Sequence, residues 1–189
     1  MNVPKQRFGN QNKIEVIQMT NDKNTYSIKI RPIAISDYDA VLRWSQNETF
    51  CLANQWELNR DSNEVYSWWN KCVNNPSESF VRMGIEFDGN LIGYTDLANL
   101  SNDSAELGIA IGESSLWGKG IGFEAAHRTI EFASANLGIK VFEAETHETN
   151  IRSRKMLERI GFEEVSRIGS EIYLGENSRL IQYRLNFER

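Results

Sequence analysis

Leu116-Trp117-Gly118-Lys119-Gly120-Ile121-Gly122-Phe123-Glu124-Ala125 is the stretch on which the reading of this 189-residue chain turns. Glycines at alternate positions leave successive backbone N–H groups with no side chain in front of them. Phe123, Ala126, Ile130, Ala133 and Leu137 follow at helical spacing, so a helix starts here. Its positive dipole end points at the same spot, and loop and helix together make a cradle for a phosphate or diphosphate. A phosphorylated cofactor is therefore expected.

The flanking segments set the fold class. Upstream, Phe80 to Phe87, Leu91 to Asn99 and Ser104 to Ile111 read as a meander of strands, the first two joined by the tight Asp88-Gly89-Asn90 turn. Before them, Ser36 is placed to cap a helix reaching Gln46, and Ser62 to Val73 carries Val65, Trp68, Trp69 and Cys72 on one stripe. Ile14 to Met19 and Tyr26 to Ile33 look like a hairpin. Downstream, Gly138 ends the long helix, Lys140 to Thr146 is a strand, and Asn150 to Ile160 is a helix capped by Asn150 and closed by Gly161. Strands at Phe162 to Ile168 and Leu180 to Phe187 follow, with a short one at Glu171 to Leu174. The class is α/β (α+β), a mixed, mostly antiparallel central sheet flanked by helices. Residues 1–25 read as an N-terminal extension supplying one hairpin strand, and 26–189 as a single domain.

Composition narrows the chemistry. Hydrophobic content of 40% and charged content of 25% are globular values, and no apolar run approaches a membrane span. The amino terminus is polar, so a cytoplasmic location is expected, with no membrane partner. Cys51, Cys72, His127 and His147 make neither a disulfide framework nor a metal cluster. A formal charge of −5 disfavours nucleic acid and suits a cationic small molecule or peptide. Covalent catalysis through Cys51 or Cys72 is not expected, since neither has a placeable His partner.

Gly120, Gly122 and Ala125 also fit the dinucleotide pattern G-x-G-x-x-G/A, with Glu143 or Glu145 as the ribose acid, which makes a dinucleotide-binding oxidoreductase the alternative. Its context is wrong, because such a motif normally opens a parallel sheet rather than following a meander. A second constellation decides. Asn150-Ile151-Arg152-Ser153 and Met156-Leu157-Glu158-Arg159-Ile160-Gly161-Phe162 have the form N-x-x-S-x-x-x-L-x-x-x-G-F. Together with Trp117 to Ala125, Arg31-Pro32 and Leu107-Gly108-Ile109, this resembles the GNAT superfamily of acyl-CoA N-acyltransferases, and within it the RimJ/RimL type that acetylates protein amino termini. The resemblance covers about Ile28 to Phe187. It implies acetyl-CoA as cofactor and direct acetyl transfer to a primary amine, which is a protein amino terminus or a small molecule such as a polyamine. Two departures stand out. Trp117 opens the loop where many members have Gln or Arg, and Leu157 fills a slot where many carry a proton-donating Tyr. That second departure keeps a non-catalytic acyl-CoA-binding module in view.

By the same resemblance, Trp117, Gly118, Lys119, Gly120, Ile121, Gly122 and Phe123 hold the cofactor. Backbone groups of Ile109, Ala110 and Ile111 pair with its pantetheine arm, and Asn150 contacts it. Ser153 faces the departing thiolate as catalytic proton donor or relay. A lysine-like amine is neutral only about once in a few thousand molecules at pH 7, so a base is expected. Glu106 is preferred, because on its strand Ala105, Leu107, Ile109 and Ile111 form the bulky face while Glu106 is the lone carboxylate beside Gly108, Ala110 and Gly112. Glu145 is the reserve, sharing a strand face with Glu143 and His147. Trp56, Tyr66, Trp68 and Trp69 are candidates for an acceptor wall, with Trp69 assigned to the core. The chain is expected to be a monomer or a homodimer.

Overall fold

The computed structural model describes residues 28–187. The expected extension, with its strand at Ile14 to Met19, lies outside the described residues. Strand β1 (Ile28–Pro32) leads through a short 3-10 turn into helix α1 (Tyr38–Ser45). Asp37, not Ser36, organises that start: its carboxylate accepts from the Ala34 amide at 2.8 Å and grips the Arg31 guanidinium at 2.8 and 2.9 Å. Arg31-Pro32 is thus explained by structure, a tie between the first strand and the first helix.

Helix α2 (Glu48–Asn54) has no counterpart in the sequence reading. Its seven residues bury only Phe50 and Cys51, too little periodicity to detect, although Asn47 caps it by accepting from the Phe50 amide. Helix α3 (Ser62–Asn74) starts where expected, with Asp61 as the capping side chain. Then come β2 (Val81–Phe87), β3 (Asn90–Ala98) and β4 (Ser104–Ile111), an antiparallel meander. Helix α4 (Ile121–Phe132) runs on through a π turn to Gly138, which closes it at φ 73°. Strand β5 (Val141–His147), helix α5 (Ile151–Ile160), β6 (Glu163–Ser166), β7 (Ser170–Tyr173) and β8 (Glu176–Asn186) complete the chain. Among the described residues no helix is long and apolar enough to cross a membrane.

The strands form one mixed sheet in the order β1-β2-β3-β4-β5-β8-β6, with β7 also on β8. Only β4 and β5 run parallel, paired at Ser104–Val141, Ala105–Phe142 and Glu106–Glu143 and no further. Beyond Glu106 the two strands diverge, which leaves β5-facing amides and carbonyls of β4 without a strand partner. This topology removes the dinucleotide alternative, which needs a run of parallel strands.

The strand period assigns the two sides of the sheet. Ala105 and Leu107 of β4 join Phe142 and Ala144 of β5 in the core beneath α4 and α5. Ala110 points the other way, into a second core with Trp44, Phe50 and Trp69 under α1 to α3. So the strand face expected to be bare is in fact covered at this end. A Cβ on Gly112 would lie 2.1 Å from the Trp44 ring, so glycine there makes room for the tryptophan. An arm laid along that strand face would meet Trp44 and Phe50 there.

Candidate active site

The gap between β4 and β5 opens into two joined cavities, both lined by Ile109, Asn150, Ser153 and Met156. The larger, about 430 Å³, holds the glycine loop. Gly118 (φ 77°) and Gly120 (φ 82°) adopt the left-handed backbone that glycine alone takes freely, and a Cβ on either would meet no protein atom within 4 Å. Gly120 is the N-cap of α4, so the amides of Ile121, Gly122 and Phe123 have no acceptor within the helix. That is an open cradle of the kind a diphosphate fills.

The cradle is narrower than the sequence suggests. The amide of Trp117 donates to Ser114 O at 3.1 Å and that of Leu116 to Glu113 O at 2.9 Å, because a 3-10 turn precedes the loop. Free donors therefore begin after Trp117. Its indole instead donates to Ile111 O at 2.8 Å, fixing the loop against the end of β4 and occupying a carbonyl assigned to the pantetheine arm. The Ile121 side chain is buried in the core, leaving only its amide for a ligand. Lys119 does not line the cavity.

Three cations of α5, rather than Lys119, stand beside the loop. Arg152, Lys155 and Arg159 line the larger cavity, with the guanidinium of Arg152 4.3 Å over the Trp117 ring and that of Arg159 4.1 Å over Phe123. Their i, i+3, i+7 spacing was visible, yet in a polar helix it is indistinguishable from a solvated face. Asn150 is confirmed as the cap of α5, its Oδ1 accepting from the Ser153 amide at 3.2 Å. That bond also holds Ser153 at the junction of the cavities.

The smaller cavity, about 220 Å³, is lined by Gly108 of β4, Glu145 and His147 of β5, and Glu171 of β7. Glu145 accepts from the Gln182 amide group at 2.7 Å. Gln55, just past α2, reaches across to His147 and Glu171. Tyr173 stacks on the His147 ring at 4.3 Å between centroids, and burial pushes its phenol up, with Arg152 pulling the other way. Glu106 sits on the same sheet face, paired opposite Glu143 where the strands begin to part. It lines neither cavity, and its carboxylate accepts from Asn99 at 2.8 Å. Leu157 is 3% exposed and lines the smaller cavity as a core residue.

The aromatic candidates for an acceptor wall line neither cavity. Trp69 is fully buried and donates to Ala34 O at 2.9 Å, as its core assignment requires. Trp56 and Trp68 pack edge to face at 5.1 Å against the same core, while Tyr66 is exposed and meets Tyr38. Trp68 and Tyr94 flank a part-buried pair in which Arg82 holds Asp96 through two 2.7 Å bonds. Burial pushes Tyr94 up to about 12. Burial likewise raises both thiols, Cys51 and Cys72, away from the thiolate a nucleophile needs.

Comparison with known proteins agrees with this geometry. Residues 27–163 match the family model described as an acetyltransferase (GNAT) domain. An uncharacterized protein of Methanocaldococcus jannaschii is 30% identical over 169 residues, covering 82% of this chain and 33% of that protein. The chain thus spans about a third of the length of the curated relative it matches. A solved domain from the same organism superposes with a TM-score of 0.65 at 29% identity, over 86% of this chain and 100% of that one. Spermidine N-acetyltransferase from Vibrio cholerae, solved with CoA and spermine, gives 0.72 at 19% identity over 84% and 95%, a likeness of fold alone.

Proposed function

This chain belongs to the GNAT acetyltransferase family, and we propose that it transfers the acetyl group of acetyl-CoA to a primary amine by direct attack in a ternary complex. The observation that carries this is the cleft where β4 and β5 part, with an open amide cradle and a cationic rim at one end and carboxylates at the other. The free amides of Gly118 to Phe123, with Arg152, Lys155 and Arg159 beside them, suit the diphosphate and its charge. The unpaired edge of β4 at Ile109 suits the amide-bearing arm, whereas the backbone of Ala110 faces Tyr94 of β3.

Acetyl-CoA supplies the activated thioester, and the chain's own groups do the rest. An N–H of the β4 edge polarises the carbonyl. Ser153, at the junction of the cavities, is placed to donate or relay a proton to the departing sulfur, a task Leu157 cannot perform. Tyr173 lines the larger cavity and is a second hydroxyl within the site. Glu106, the base expected from the sequence, shares a sheet face with Glu145 and His147 but lines neither cavity.

For the acceptor, the RimJ/RimL likeness of Trp117 to Ala125 and Asn150 to Phe162 favours a protein amino terminus, whose pKa near 8 asks little of a base. Thiol release from acetyl-CoA, measured over a panel of free-amino-terminal peptides and small primary amines, tests the proposal. Release should accompany a mass gain of one acetyl group on the amine. Tight CoA binding with silence on every amine would instead make the chain an acyl-CoA-binding module, the reading that Leu157 in the tyrosine slot supports.

A further inference from the structure

Gln55 holds an unusual position. It follows a helix of only seven residues and sits at φ 54°, a left-handed conformation in which a glutamine is strained. From there its side-chain nitrogen lies 3.3 Å from His147 Nε2 and 3.3 Å from Glu171 Oε2, spanning elements far apart in the chain. A carboxylate accepts only, so it is the NH₂ group of Gln55 that faces Glu171. The same NH₂ group faces His147, and the neutral ring that accepts from it at Nε2 is the Nδ1–H tautomer. That Nδ1 is buried with no hydrogen-bond partner among the described residues.

An NH₂ donor between an imidazole lone pair and a carboxylate occupies the place a primary ammonium would take. Resting on the transferase reading above, we propose that Gln55 is an internal stand-in for the acceptor, that Glu171 orients the incoming ammonium, and that His147 Nε2 is the base that deprotonates it. His147 and Glu171 line the same cavity as Ser153 and Ile109, so the site opens onto the place of transfer. The acidic groups facing it are Glu145, Glu171 and the phenol of Tyr173. Glu145 and Glu171 are held by glutamine amides rather than by cations. Most other carboxylates of this end of the sheet are matched to arginine, as Glu143 is to Arg184 and Glu164 to Arg167. The cavity therefore suits an unhindered aliphatic ammonium.

In the step itself the ammonium displaces the Gln55 amide and gives one proton to Nε2. The freed lone pair forms the C–N bond as the C–S bond breaks, the sulfur leaves with the bonding pair, and the second proton shed by the acylated nitrogen passes to that sulfur. The sum is acetylated amine, free thiol and one proton passed on to solvent from His147.

The chain holds two histidines, so ¹⁵N NMR of their rings is a direct test with 1,4-diaminobutane as probe. The CoA-loaded protein should show His147 with its proton on Nδ1, and adding the diamine should move the Nε2 resonance while His127 stays. In turnover with the diamine, His147→Gln should lose about 100-fold or more in kcat/KM at pH 7, chiefly in kcat, with the deficit shrinking as pH rises. Glu171→Gln should act mainly on KM. Gln55→Asn, which keeps the left-handed backbone but is too short to reach, should lower KM roughly two- to fivefold. A proton on Nε2, an unmoved resonance, or a larger loss in Glu106→Gln than in His147→Gln would overturn the inference. Acetylation with an unmoved resonance leaves the transferase reading standing and sinks this one. A moved resonance without acetylation of any amine sinks the transferase reading and, with it, His147 as its base.

Discussion

Replacing Gly120 separates the cradle's backbone demands from its binding role. At φ 82° and ψ −3° an alanine is forced into the left-handed region, which costs about 1–2 kcal/mol. In a domain of this size that lowers Tm by roughly 2–8 °C. The added methyl meets no protein atom within 4 Å, so no steric term is added to that figure. Gly120 lines the larger cavity, however, so the methyl intrudes where the diphosphate would approach. Losing even one hydrogen bond from the first-turn amides to a charged oxygen costs about 1.5–3 kcal/mol, or roughly ten- to a hundredfold in affinity. Gly120→Asn tolerates the left-handed backbone and should recover most of the Tm while binding CoA as poorly as Gly120→Ala. Differential scanning calorimetry and titration calorimetry on the two variants read these effects separately. If either variant binds acetyl-CoA like the parent, the loop does not hold the diphosphate.

Other consequences concern charge and pH. Arg159→Ala should weaken acetyl-CoA binding by roughly three- to tenfold at low salt, with the gap closing near 1 M salt, where screening acts over only about 3 Å. A deficit that ignores salt would mean Arg159 acts by packing on Phe123 instead. Tyr94, pushed up to about 12 by burial, keeps its proton in the folded protein after tyrosines of the unfolded chain have ionised near 10. The unfolded state then binds fewer protons, so stability falls as pH rises from about 10 to 12, by about 2–3 kcal/mol in all. Urea unfolding at both ends of that window should show a smaller drop for Tyr94→Phe, and an equal drop would refute the assignment.

Where chemistry and period coincide, the sequence is readable. Strand β4 has the bounds expected of it, since its alternation distinguishes two packed faces. Gly138, Asn150 and Gly161 mark helix ends through backbone angles and a cap bond that those residue types favour. Failures have equally local causes. Helix α2 buries two side chains and so leaves no stripe. The Trp117 amide is lost to a 3-10 turn that Ser114 to Leu116 do not announce. The His147 end of the cleft is assembled by contacts across 92 and 116 residues, from Gln55 to His147 and to Glu171, and no spacing rule reaches that far. Glu106 illustrates the limit, since its strand face follows from period whereas its distance from the cavity depends on where two strands part.

Titration calorimetry with acetyl-CoA and, separately, NADH probes the open amides after Trp117 most directly. Saturable binding of acetyl-CoA, weakened by Gly120→Ala and absent for NADH, is expected. Binding of NADH without acetyl-CoA, or of neither, would contradict a diphosphate cradle serving an acetyl donor.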